Sequence, residues 1–231
     1  MKLALDSDFR DYYDHWFDYF SVGGKPEQTL RRQSRQGLPK RDQFTLLEEC
    51  GFTVPLHGHV FEVAPNVTTP WLVVYDDEMA HCGEGKALWH RTKASLEVPN
   101  QYCSVFIPST EDPVVHAVSM RLLAIGDRLW WLKYESNGWM SNHADNVDVT
   151  VIGETLSREQ YALEESFEFG HLGEYPLFAI DFVKAKDGRL MAIDFNSAPG
   201  LKGTGMENLM PSKGVVEAIK SYLTAHHPSA S

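Results

Sequence analysis

The sequence predicts an α+β protein, and three observations carry that prediction. Val114 to Tyr134 reads as two apolar strands around Gly126-Asp127. Phe178 to Asn196 reads as two more around Asp187-Gly188. Both dipeptides suit two-residue hairpin loops. The third observation is a set of helical patterns set apart from the strands. Phe44, Leu47 and Cys50 fall at helical spacing in Arg41 to Cys50, with Gly51 placed to end the helix. A last helix opens at Pro211-Ser212, with Val215, Val216, Ile219, Tyr222 and Leu223 on its inner face.

At 231 residues the chain is one large domain or two small ones, long enough for a proper core. A hydrophobic content of 43% and a charged content of 23% are ordinary for a globular protein. A net charge of −11 argues against a nucleic-acid surface, with basic residues concentrated only between Arg31 and Arg41. Cys50, Cys82 and Cys103 are widely spaced and odd in number, so neither a disulfide framework nor a zinc ribbon is indicated. The N-terminus turns acidic too soon for a signal peptide, and no apolar run approaches the ~20 residues of a membrane helix. The expectation is a cytoplasmic protein without membrane partners.

In order, Met1 to Leu5 reads as a strand, and Ser7 or Asp8 caps a helix whose aromatic face comprises Phe9, Tyr13, Trp16, Phe17 and Phe20. Pro26 to Pro39 is polar. After the helix at Arg41, His57 and His59 would share a strand face as metal ligands can. With no third ligand nearby, the reading is a hydrogen-bonded or exposed pair. Trp71 to Tyr75 and Tyr102 to Ile107 are apolar strands, separated by the loop Gly83-Glu84-Gly85-Lys86. In the first hairpin Arg121 stands among Met120, Leu122 and Leu123, where an arginine needs a carboxylate or phosphate partner. Simple register puts Lys133 on the opposite face from Arg121, so both serve one site only if a bulge intervenes. Val147 to Ile152 is a strand, and Ser157 with Gln160 forms a capping box for a helix through Phe167.

The second hairpin carries the chemistry. If Lys186 faces Arg189 across the turn, Asp181 lies directly opposite Asp194. Alternation then places Ala179, Asp181, Val183, Ala192, Asp194 and Asn196 on one face, and Phe178, Ile180, Phe182, Met191, Ile193 and Phe195 on the other. Opposed like charges repel. Either one carboxyl keeps its proton or a cation neutralises both. Two aspartates and an asparagine are hard oxygen ligands, which suit Mg²⁺ or Mn²⁺ rather than Zn²⁺. The following loop, Ser197 to Gly205, is glycine-rich and can bring backbone N–H groups to an anion. A surface hairpin with two solvated aspartates would not need so apolar an opposite face.

Asp181, Asp194, Asn196 and Pro199-Gly200-Leu201 resemble, in order, the C-terminal catalytic hairpin of the ATP-grasp superfamily, nearest to ribosomal-protein glutamate ligases and glutathione synthetases. Asp194 stands where the family usually has Glu. The run Pro39 to His57 resembles the segment where a family helix ends and the chain leaves toward a proline. The resemblance implies two lobes with antiparallel sheets gripping ATP, divided as an N-terminal strand/helix region 1–70, a small subdomain 71–110 and a C-terminal subdomain 111–231. It implies an ATP- and Mg²⁺- (or Mn²⁺-) dependent carboxylate–amine or carboxylate–thiol ligase acting through an acyl phosphate. Asp181, Asp194 and Asn196 would hold metal. Lys86, Phe106, Ile107, Asn142 and Lys202 would meet the nucleotide, and Arg121 with Lys133 the transferring group. The substrates would be small-molecule or peptide acids and amines. The sequence departs from the family pattern at Tyr75, in the place of a strand lysine, and at Met140, in the place of an arginine. Those departures keep open a non-catalytic nucleotide- or metal-binding protein on the same scaffold. A metal-dependent phosphoesterase is a third reading, though it would want clustered His and Asp ligands.

Overall fold

β-branched and aromatic runs bounded by turn residues become two antiparallel sheets, and the helical patterns pack against them. A computed structural model describes residues 3–5, 20–22, 38–79, 84–141, 147–157, 172–173, 175–196, 199–201 and 203–226. Strands β1 (Leu3–Leu5) and β2 (Phe20–Val22) pair antiparallel. Phe20, expected on the face of the first helix, therefore belongs to a strand. The rest of that predicted helix lies outside the described residues. Helix α1 (Lys40–Glu49) follows and ends at Gly51, whose φ of 87° fits a glycine stop.

The smaller sheet has the order β3-β6-β4-β5, with β3 at His57–His59, β4 at Trp71–Tyr75, β5 at Lys86–His90 and β6 at Tyr102–Val105. Helices α2 (Val60–Val63) and α3 (Arg91–Glu97) cover one face, where Val60, Val63, Leu72, Val74, Ala94 and Cys103 form a core. The other face carries Val73, Tyr75, Tyr102 and, beyond the strand end, Phe106, packed with Phe44 of α1. Because β3 belongs to this sheet, it draws on residues 57–105 and crosses the boundary expected at residue 70.

The larger sheet has the order β11-β10-β7-β8-β9. Its strands are β7 (Ala117–Ile125), β8 (Arg128–Ser136), β9 (Val147–Ser157), β10 (Leu177–Lys184) and β11 (Leu190–Asn196). Ile125 pairs with Arg128 across the two-residue loop expected at Gly126-Asp127. β9 continues to Ser157, where the sequence pattern predicts a helix cap; the helix it would start lies outside the described residues. One face packs Leu123, Leu132, Leu177 and Ala179 against α4 (Met206–Leu209) and α5 (Ser212–His226) through Met206, Val215 and Ile219. The other packs Leu122, Phe178, Ile180 and Phe182 against Leu46, Leu47 and Cys50 around α1. Among the described residues no helix is long and apolar enough to cross a membrane.

Candidate active site

Where the two sheets meet, they enclose a cleft of about 690 Å³ including its mouth. Val73, Tyr75, Lys86 and Ser104 line it from the small sheet, and Val183, Ile193 and Asp194 from the large one. Phe106, Ile107 and Trp139 form an aromatic and apolar end, with the Phe106 and Trp139 rings edge to face at 6.3 Å. Lys86 and Asp194 are the charged residues of the lining. The cleft thus has an aromatic and apolar part at Phe106, Ile107 and Trp139, and also offers one cation and one carboxylate.

The local fold of β10 and β11 explains Asp194. Ala185 pairs with Arg189, since the Ala185 carbonyl accepts from Gly188 N at 2.9 Å and Ala185 N donates to the Arg189 carbonyl at 2.8 Å. The loop is therefore three residues, Lys186 to Gly188, not the two-residue turn expected, and Gly188 takes a φ of 90°. That shift alone would put Asp181 opposite Ile193. Ile193 instead bulges out, so Phe182 pairs with Ala192 while Asp181 pairs with Asp194. The bulge has two consequences for the predicted faces. Ala192 joins the Phe178 and Phe182 side, and Ile193 turns into the cleft beside Asp194.

The facing aspartates are each met by a side-chain cation. A row of paired residues crosses the sheet as Asp194, Asp181, Arg121, Leu132 and Val151. Arg121 donates from Nε and Nη2 to both oxygens of Asp181, at 2.6 and 2.8 Å, and from Nη1 to the Tyr134 hydroxyl at 3.1 Å. Arg121 is 8% exposed and Asp181 2%. Burial opposes the guanidinium charge, but Asp181 overrides it and raises the Arg121 pKa. The arginine read as needing a carboxylate or phosphate has the carboxylate.

The second cation is Lys40, which the sequence reading left one residue outside helix α1. Its ammonium donates to the Asp194 carboxylate, to Gln43 Oε1 at 3.0 Å and to the Ile193 carbonyl at 3.2 Å. The bulge supplies that carbonyl. Gln43 Oε1 also accepts from Phe195 N at 3.2 Å, so Gln43 ties α1 to the bulged strand. The Phe44 and Tyr75 rings stand 5.5 and 5.9 Å from the ammonium. Burial would raise the Asp194 pKa; the charges of Lys40 and Lys86, with the Lys40 hydrogen bond, hold it below the usual carboxylate range. The available signal was a lysine and a glutamine at i and i+3, on the face with Phe44 and Leu47.

Lys86 reaches the cleft as the first residue of β5, opposite Tyr75, rather than from the preceding loop. Burial pulls its pKa below the ordinary lysine value, although Asp194 opposes this. Lys133 pairs with Met120, on the face away from Arg121, and its ammonium lies 2.9 Å from Glu135. The structure does not bring Lys133 to the cleft. Asn142 and Lys202 lie outside the described residues. His57 meets the Tyr102 hydroxyl at 2.7 Å and His59 the Asn100 carbonyl at 2.8 Å, matching the hydrogen-bonded pair expected.

The donors present fit one hard divalent cation. Asp194 opens to the cleft, its side chain 34% exposed, and Asn196 lies two residues along the same strand, hence on the same side. Mg²⁺ commonly takes one or two carboxylates and fills its shell with water and phosphate oxygens. Asp181 is in the same row, with both oxygens engaged by Arg121. Among the described residues no three His, Cys, Asp or Glu side chains converge to hold a metal.

No family model matches the sequence, and no curated protein matches it in sequence. Solved structures do match in shape. The ATP-grasp ligase PsnB, complexed with a phosphomimetic variant of minimal precursor, Mg and ADP, superposes with a TM-score of 0.52 at 14% identity over 82% of this chain. The chain spans 60% of that ligase's length. D-cycloserine synthetase DcsG gives 0.56 at 15% identity, covering 84% of this chain and 72% of its own. A Chryseobacterium gregarium RiPP-associated ATP-grasp ligase, in complex with ADP and a leader and core peptide, gives 0.52 at 15% identity, covering 98% and 72%. Two antiparallel sheets with flanking helices, a cleft between the sheets and these likenesses make the chain a member of the ATP-grasp fold.

Proposed function

We propose that the chain is an ATP- and Mg²⁺-dependent ligase that activates a carboxylate as an acyl phosphate and passes it to an amine or thiol. The observation that carries this is the polarity of the cleft, with an aromatic end at Phe106, Ile107 and Trp139 and a charged end at Lys86 and Asp194. A planar base fits the first, where backbone groups of Phe106 and Ile107 would meet its edge. A phosphate chain fits the second. Lys86 then binds phosphate oxygens. Burial lowers its pKa from the ordinary lysine value, and an arriving phosphate would oppose that shift. Asp194 and Asn196 would hold Mg²⁺, which supplies charge neutralisation of the transferring phosphoryl group. Arg121 acts through Asp181, keeping the row beneath the cleft neutral and rigid. Asn142 and Lys202 remain proposed contacts for phosphate or acceptor. In this reading the chain contributes mostly position and charge, as phosphoryl transfer requires.

In the reaction the substrate carboxylate attacks the γ-phosphorus and ADP leaves. An amine or thiol then attacks the acyl carbon and phosphate leaves. The acid and amine are proposed to be small molecules or peptides, since the cleft opens at its mouth and the overall charge is acidic. A chain lying in a reducing cytoplasm fits the buried thiols of Cys50 and Cys103, which form no disulfide among the described residues. Incubation with ATP, Mg²⁺ and a panel of amino acids and peptides in hydroxylamine should yield hydroxamate and ADP. ATP binding without hydroxamate from any acid would favour the second reading, a non-catalytic nucleotide-binding protein. That reading draws on one observation: Arg121 is committed to Asp181.

A further inference from the structure

The Lys40 ammonium sits in a cage of oxygens. Gln43 Oε1, the Ile193 carbonyl and Asp194 Oδ1 take its three protons, and its side chain is 7% exposed. Such a cage is what a small cation asks for, and the lysine fills it with a tethered one. The same carboxylate is the one open to the cleft. Arg121 and Lys40 together balance Asp181 and Asp194, so the four-charge row is neutral without any metal. The two cations differ in how readily they leave. Arg121 is held by two parallel bonds in a buried fork, and a guanidinium in that geometry stays put. Lys40 is a point charge on a flexible four-carbon stem, with one carboxylate contact at the margin of the cleft.

We propose that Lys40 is the resident counter-ion of Asp194, and that a divalent cation enters the site by displacing it. This rests on reading Asp194 as the metal ligand. Lys40 is then a positioning residue, holding the Asp194 carboxylate in place at the cleft. It also sets a threshold. Metal entering alone drives Lys40 off its carboxylate and leaves two lysines, Lys40 and Lys86, near a dication. Metal arriving with an anion displaces Lys40 as well, but the anion offsets the charge of the two lysines. Free metal therefore binds weakly, and the pair Lys40–Asp194 makes the site selective for a metal that is already carried by an anionic ligand.

The test is Mn²⁺ binding to the full chain, read by electron paramagnetic resonance without nucleotide. Lys40→Met keeps the length of the side chain and removes the charge. Lys40→Met frees the Asp194 carboxylate from a charge-assisted hydrogen bond, so Mn²⁺ should bind at least about tenfold more tightly to Lys40→Met than to wild type. Asp194→Asn on the Lys40→Met background should return the affinity to the wild-type level or below. If Lys40→Met does not fold, Lys40→Gln, which retains a donor for the Ile193 carbonyl, should show the same direction. Unchanged or weaker Mn²⁺ binding in the folded Lys40 variant overturns the proposal, and so does a gain insensitive to Asp194→Asn. ATP binding by wild type, measured separately, bears on the ligase reading and leaves this result standing either way.

Discussion

Replacing Arg121 with methionine would leave Asp181 charged, buried and deprived of the partner that engages both its oxygens. Breaking a buried pair from one side costs about 3–5 kcal/mol, because the remaining charge has lost its compensation. The lost contact to the Tyr134 hydroxyl adds to that. The double variant Arg121→Met/Asp181→Leu removes both charges at once, and such replacements are often neutral or stabilising. The prediction is therefore a large non-additivity. Arg121→Met loses about 3–5 kcal/mol in urea unfolding at pH 7, and most of it returns in the double variant. The same proteins report on function. A pairing arginine leaves ATP binding intact in the double variant, whereas an arginine that contacts phosphate does not. An Arg121→Met cost below about 1 kcal/mol, the range of an exposed pair, would refute the reasoning.

Three further outcomes follow from the geometry. Lys86→Met should weaken ATP binding about 10- to 100-fold, the worth of a hydrogen bond to a charged group, while Lys133→Met, on the other face, should change it little; isothermal titration of the two variants checks both. Gly126→Ala should lower the melting temperature by several degrees, because φ there is +60° and an added Cβ would stand 2.5 Å from the Ala218 carbonyl oxygen, forcing α5 away; unchanged melting would contradict that docking. The Asp194 pKa is depressed in the folded state, so its contribution is present above the unfolded value near 3.9 and is lost as pH falls through the lower folded value. Between pH 5 and about 2, wild type should lose more stability than Asp194→Asn, and parallel acid limbs would show that Lys40 does not hold the carboxylate.

How much of this could be read from residues alone depends on the range of the interaction. Hairpins with local signals were legible: Gly126-Asp127 is the two-residue loop expected, and Trp71–Tyr75 is the strand expected. The opposition of Asp181 and Asp194 was also legible, but by a route that the sequence misstates. The Asp187-Gly188 dipeptide suits a two-residue turn, the chain uses three residues, and the bulge at Ile193 restores the register. Nothing local in Met191 to Asp194 signals a bulge, because its cause is tertiary: the Ile193 carbonyl is drawn to Lys40, and Ala192 N donates to the Thr53 carbonyl at 2.8 Å. The partner of Lys40 is not legible for the same reason, since Asp194 lies 154 positions away, although the place of Lys40 on the Gln43 and Phe44 face of α1 is. Arg121 was legible as a residue in need of a partner, and the choice between carboxylate and phosphate was a matter of which strand pairs with β7. β3 escaped the small-sheet assignment because three residues around Gly58 carry little strand pattern.

The central claim is that the cleft between the sheets is a nucleotide–metal site centred on Asp194. Isothermal titration of ATP, with and without Mg²⁺, into wild type and Asp194→Ala tests it most directly. The account predicts binding to wild type that requires Mg²⁺ and is lost in Asp194→Ala while the variant stays folded. A folded wild type that binds no nucleotide under either condition, or binding that ignores both Mg²⁺ and Asp194, would contradict it.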